Sequence, residues 1–301
     1  MSINTLLDSD LDKIPDFEVY AANLQSLKNI DFSQSSLLNI QKAYDQYATV
    51  IPSIFTTRTP EQFNQLYFYR VRMNIVDEDL NLFRTYSCPS PLICKNNGRA
   101  NLKGKSVFYC SNNPFAAMIE SKPQVGQTGY LSIWKAGTTR NIKVGLLLPN
   151  SLRPDNIWSD MAKGAYEYAI NHSNADAKSK AKQFVLLHEF IAGLFVTEKY
   201  PYSITSMLAD QLLFDKDTWK DCILYPSVAS DKHYCNFAFH PNVVDQFLKF
   251  ENVIPFVVKE VNNNSVVRYT AGQIGKVSNA GIFWDKNISP QDVDFRNLPF
   301  D

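Results

Sequence analysis

The stretch "GRANLKGKSVFYCSNNPFAAMIES", Gly98 to Ser121, carries an arginine, a tyrosine and a glutamate on what read as a loop, a strand and a short helix. "SVFYCS" has the length and aromatic content of a short strand. Asn113 and Pro114 follow as a helix cap and a first helical residue, and "PFAAMIES" sets Phe115, Met118 and Ile119 on one side of that helix. Glu120 stands one turn beyond Ala116 and Ala117, small residues that leave room around its carboxylate. Arg99, in a glycine-bearing loop, presents a planar fork suited to phosphate or carboxylate. Tyr109, at a strand end, can stack on a flat ring and donate one hydrogen bond. Glu120, at a helix end, can bond a ribose hydroxyl pair or stabilise positive charge growing on a sugar ring. Together they describe a pocket for a nucleotide whose glycosidic bond is to break. A buried Arg–Glu pair, or two surface charges, accounts for the same residue types without a ligand.

Upstream, alternation in "LYFYRVRM" places Leu66, Phe68, Arg70 and Arg72 on one strand face and Tyr67, Tyr69, Val71 and Met73 on the other. An inward Arg70 needs an anion or a carboxylate, and an outward one is solvated; Arg72 reads as solvated. In "SSLLNIQKAYDQYATV" a serine cap precedes Leu37, Ile40, Tyr44 and Tyr47 at near-helical spacing. Downstream, "GYLSIW" and "NIKVGLLLP" suggest a hairpin around Ala136-Gly137-Thr138. Residues from about 155 to 200 read as a long helical segment, and "SITSMLADQLL" as a shorter helix. "CILYPSV", "CNFAFHP", "IPFVVKEV" and "SVVRYT" read as strands, the last two forming a hairpin through "NNN". Beyond Gly272 the chain reads as an irregular, polar wrapping tail. The expected class is α+β, with helical additions to one core.

Composition narrows the setting. Hydrophobic content of 45% and charged content of 20% over 301 residues are those of an ordinary globular protein. Thirty basic and thirty acidic side chains cancel, which argues against bulk binding to nucleic acid or to an anionic membrane surface. The five cysteines lack zinc-knuckle spacing, so no metal is expected. "MSINTLLDSDLDKIPDF" has no continuous apolar core of a secretory signal, and no apolar run nears the ~20 residues that span a bilayer. A cytoplasmic protein with reduced thiols is expected.

Other signals carry less. His188-Glu189 opens something like a metalloprotease helix, but "HEFIA" lacks the second histidine; His188 reads as a core residue with a partner. "GQIGK" is too short for a phosphate-binding loop, and "YPSV" is not a nucleophile elbow, so Ser227 reads as a poor hydrolase nucleophile. His240 should close a strand, and Cys110 should turn into the core beside Tyr109.

From "YFYRVR", through "GRANLKGKSVFYCSNNPFAAMIE", to "SITSMLADQLL" and "CILYPSVASDKHYCNFAF", the chain resembles the RES domain family of bacterial toxin–antitoxin systems. The resemblance covers roughly residues 65–250. It implies an ADP-ribosyltransferase-like split β-sheet core that binds NAD+ as substrate and breaks the nicotinamide–ribose bond, by hydrolysis or phosphorolysis. Glu120 would engage the ribose and support an oxocarbenium-like transition state. Arg99 would hold the pyrophosphate or ribose side, with Arg70 as a second anion contact. Tyr109 would pack against nicotinamide or its ribose, and Ser227 would complete the cleft. Asn236 falls where the family has an asparagine. The implied partners are NAD+ and an antitoxin protein or a macromolecular ADP-ribosylation target. Transfer to a macromolecule, or a binding module without turnover, are the alternatives. The implied organisation is a helical extension over 1–60, a catalytic domain over 61–260 with an insert near 155–200, and a hairpin end and tail over 261–301.

Overall fold

Residues 2–3, 13–51, 54–171, 175–217, 219–261, 267–271, 273–278, 281–286 and 291–294 are described by the computed structural model. In chain order the strands are β1 (Ser2–Ile3), β2 (Ile54–Arg58), β3 (Tyr67–Met73), β4 (Phe108–Ser111), β5 (Thr128–Ala136), β6 (Ile142–Leu146), β7 (Cys222–Pro226), β8 (Cys235–Phe239), β9 (Leu248–Val261), β10 (Val267–Ala271), β11 (Ile274–Ser278), β12 (Gly281–Asp285) and β13 (Gln291–Asp294). The helices are α1 (Phe17–Lys28), α2 (Leu37–Ala48), α3 (Pro60–Phe63), α4 (Pro114–Glu120), α5 (Ser159–Asn171), α6 (Ala175–Thr197), α7 (Ser203–Phe214) and α8 (Pro241–Phe247). The protein is therefore α+β. The chain divides into two units, each assembled from several stretches.

The first unit takes in Met1–Thr57, Ser90–Ser106 and Lys143–Pro226. Its strands run in the order β1-β2-β6-β7, with β1 antiparallel to β2 and β6 parallel to β7. A parallel pair needs a long crossover, and α5, α6 and α7 supply it. The expected single segment over 155–200 is two helices, α5 and α6, and residues 172–174 lie outside those described. Ser36 caps α2 by accepting from Asn39 N, as its sequence implies. The buried stripe of α2 is Ile40, Tyr44 and Ala48, whereas Leu37, a turn nearer the start, is exposed. The buried tyrosines keep their hydroxyls satisfied: Tyr20 donates to the Ala48 carbonyl at 2.6 Å and Tyr44 to that of Val50 at 3.0 Å. His188 is a core residue of α6, with Nε2 3.3 Å from the Leu148 carbonyl and its ring edge-on to Tyr166.

The second unit takes in Arg58–Pro89, Val107–Ile142 and Ser227–Asp301. Its strands run in the order β8-β4-β3-β5-β9-β10-β13, and the β11–β12 hairpin attaches to β9. Register assigns side chains to the two sheet faces, because residues directly opposite share a face. Tyr69 lies opposite Ser111, and Ser111 opposite Asn236. On that face Tyr69, Leu131, Ile133, Phe256 and Val258 bury Ala117, Met118 and Ile119 of α4. The other face carries rings: Phe68 lies 4.9 Å from Phe239 and 5.2 Å from Phe237, and Phe108 lies 5.3 Å from Trp134, all edge-on.

Two expectations about pairing are corrected. "GYLSIW" and "NIKVGLLLP" form no hairpin: both edges of β5 are taken by β3 and β9, and β6 pairs with β7. The region beyond Gly272 is not an irregular tail where it is described, since it builds β11, β12 and β13. Gly275 explains the close fit of β11, because a Cβ there would lie 2.7 Å from both Ile282 Cγ2 and Val253 Cγ1. The β9–β10 hairpin is present, with its "NNN" turn outside the described residues. His240 ends the strand as expected and caps α8, its Nδ1 accepting from Asn242 N at 3.2 Å.

Candidate functional site

Glu120 is the last residue of a seven-residue helix, and the sequence explains why that helix forms. Asn113 caps it, accepting from Ala116 N at 3.0 Å, and Pro114 occupies the first helical position. Ala117, Met118 and Ile119 anchor it to the sheet. The carboxylate is thereby delivered, half-buried, to one sheet face.

Three donors converge on a single oxygen of that carboxylate. Ser227 Oγ donates to Oε1 at 2.6 Å, Asn236 Nδ2 at 2.9 Å and Ala229 N at 3.4 Å. Oε2 takes none of these bonds. All three donors are neutral, and among the described residues no salt bridge reaches Glu120. The group is thus fixed in orientation with its negative charge left uncompensated by a cation. Such a carboxylate suits a cationic partner, or charge that appears only during a reaction.

The supports of this cluster come from distant parts of the sequence. Asn236 sits on β8 opposite Ser111 of β4. The buried Ser111 hydroxyl donates to the Cys235 carbonyl at 2.7 Å and accepts from Asn113 N at 3.3 Å, tying the helix cap to β8. Ser227 starts a loop that closes on itself at Tyr234, whose carbonyl accepts from Ser227 N at 2.9 Å. Tyr234 also meets the Phe115 ring edge-on at 6.2 Å. Tyr109, two residues before Ser111, is half-buried and shares its sheet face by alternation.

The two arginines make other contacts. Arg70 projects from the opposite sheet face: its guanidinium is 5.4 Å from the Phe108 ring centre, and Nη1 donates to the Tyr109 carbonyl at 2.9 Å. Burial lowers its basicity, though a guanidinium remains charged. Its Nε is buried without a hydrogen-bond partner. Arg72 is partly solvated and also paired, which the sequence reading did not foresee. It forms a bidentate pair with Glu78 at 2.5 and 2.8 Å and also donates to the Thr85 carbonyl. Arg99 belongs to the first unit, where it donates to the Phe195 carbonyl and lies 4.8 Å over the Tyr202 ring.

The structure therefore brings Glu120, Ser227 and Asn236 into one hydrogen-bonded cluster, with Tyr109 on the same face and Arg70 on the other. Sequence reading passes over Ala229 N and Ser230; the signal for them is the Ser227–Ser230 spacing, which suits a turn closed by hydroxyls. Among the described residues no three His, Cys, Asp or Glu side chains gather as a metal site, and no helix is long and apolar enough to cross a membrane. The fold and site define an α+β protein that presents a preorganised carboxylate, held by neutral donors among the described residues. Comparison with protein-family models and with curated proteins returns no match.

Proposed function

We propose that this chain is an NAD+-consuming enzyme of the RES type, on an ADP-ribosyltransferase-like core, that breaks the nicotinamide–ribose bond. The observation that carries the reading is the Glu120 carboxylate, clamped through Oε1 by Ser227 and Asn236 and, among the described residues, paired with no cation. As the C–N bond stretches, positive charge spreads over the ribose and nicotinamide departs neutral, so no general acid is needed. A carboxylate about 4 Å from that charge contributes roughly 4 kcal/mol at an effective dielectric of 20, close to a thousandfold in rate. Because the charge exists chiefly in the transition state, this interaction raises kcat rather than substrate affinity. Ser227 and Asn236 act as positioning residues that keep Oε2 aimed, and Tyr109 offers a ring on the same face for nicotinamide or its ribose. The resemblance also supports a cytoplasmic toxin held in check by an antitoxin.

The test is purified protein incubated with NAD+ labelled in the adenosine half, followed by chromatography. Nicotinamide release is expected, with label in ADP-ribose for hydrolysis or in ADP-ribose phosphate for phosphorolysis. Label retained on protein or nucleic acid would instead assign transfer to a macromolecule. Glu120→Gln should lower turnover by about a thousandfold while keeping the melting temperature within a few degrees. No nicotinamide release, together with no label transfer in lysate, overturns the proposal.

A further inference from the structure

We infer that Ser230 is a positioning residue for Glu120, acting through Ser227; in its catalytic consequence this rests on the function proposed above. Ser227 Oγ has one proton and two lone pairs. Ser230 N donates to Ser227 Oγ at 3.3 Å, occupying a lone pair and leaving the hydroxyl proton for Glu120 Oε1 at 2.6 Å. An ionised carboxylate only accepts, so this chain of donors has one consistent direction: Ser230 N to Ser227 Oγ to Glu120 Oε1.

The Ser230 side chain holds that direction in place. It is buried, accepts from Tyr234 N at 3.1 Å and donates to the Ser227 carbonyl at 3.2 Å. The same carbonyl accepts from Lys232 N at 2.9 Å, and His233 N donates to the Ser230 carbonyl at 3.1 Å. Asp231 and Lys232 adopt left-handed φ of 48° and 63°, a backbone that few side chains favour and that these bonds impose. Residues 227–234 are thus a loop held by backbone bonds and, across its middle, by the Ser230 hydroxyl. It presents two of the three donors on Oε1, Ser227 Oγ and Ala229 N. Removing the Ser230 hydroxyl frees the Tyr234 amide and loosens the turn, and Ser227 Oγ loses its fixed orientation.

The experiment has two arms. In the first, amide hydrogen exchange is followed at Ala229, Ser230 and Tyr234 in the wild-type protein and in Ser230→Ala, without nucleotide. Exchange faster by roughly tenfold at Ala229 and Ser230 as well as at Tyr234 is expected, from about one lost hydrogen bond. Faster exchange confined to Tyr234, or unchanged at all three, overturns the inference. In the second arm NAD+ turnover is compared for Ser230→Ala, Ser227→Ala and the double variant. The expected result is a kcat for Ser230→Ala lower by about tenfold, KM within twofold, and a double variant no slower than Ser227→Ala, since both changes break the same chain. Multiplied losses in the double variant overturn action through Ser227. A wild-type protein without turnover removes the enzymatic reading alone, because the exchange arm decides the loop's role by itself.

Discussion

His188 and Arg70 show how single side chains answer to burial. An exposed imidazole titrates near 6.5, whereas desolvation in α6 pushes His188 down to about 4. Above pH ~6.5 neither the folded nor the unfolded state protonates it, so His188 adds no pH dependence there. As pH falls from ~6.5 towards 4 the unfolded chain binds the extra proton, and stability drops by on the order of 3 kcal/mol across that window. Denaturation at pH 7.5 and pH 5 should show about 2 kcal/mol of this loss, and His188→Leu should flatten that part of the slope. Arg70 carries its charge onto an aromatic face with a bond at Nη1 and none at Nε. Arg70→Met gives up that bond but also the desolvation cost, so urea denaturation should find a change under about 1 kcal/mol. Period-two alternation already separated Arg70 from Tyr69. It could not say that a Tyr109 carbonyl and a Phe108 ring, rather than an anion, would meet the guanidinium, because neighbours across strands are set by pairing.

At the scale of elements, α4 was legible because its signals are local. Asn113 and Pro114 mark its start within two residues, and the apolar face follows at helical spacing. Asn113→Ala should cost about 1 kcal/mol, measured by denaturation, and should lower turnover by loosening the start of the short helix whose far end bears Glu120; Asn113→Ser should restore both. The proposed hairpin between β5 and β6 failed for the opposite reason. A strand offers the same backbone ladder to any neighbour, and the partner that won one edge of β5 is β9, with Thr128 opposite Val257. The strands beyond Gly272 were missed because Lys276, Ser278 and Asp285 dilute the apolar pattern of a hairpin whose exposed face mixes them with Phe283. Gly275→Ala forces a methyl to within 2.7 Å of Ile282 and Val253, and should destabilise by about 1–3 kcal/mol in the same assay.

For the whole molecule, the five cysteines divide by burial. The thiols of Cys110, Cys222 and Cys235 are buried, and those of Cys88 and Cys94 are partly exposed. A thiol reagent should therefore modify two cysteines quickly in the native protein and the other three only on unfolding. Five rapid reactions would mean that the strands carrying the buried three are not stably paired. Burial also raises the Cys110 pKa well above its usual value, which slows its reaction further. The division into two units, each drawn from separated stretches, follows no composition boundary in the chain.

What the amino-acid order determined unaided is whatever depends on neighbours within a few positions: the Ser36 and Asn113 caps, the apolar face of α4, and the alternation along β3. What only the folded chain decided is the meeting of Glu120 with Ser227 and Asn236, more than a hundred positions away, at one carboxylate oxygen. Caps and periodicities are short-range sterics and hydrogen bonds, written into adjacent residues. The cluster at Oε1 depends on which strands pair and how a loop closes, and those choices rest on the burial of the sheet as a whole.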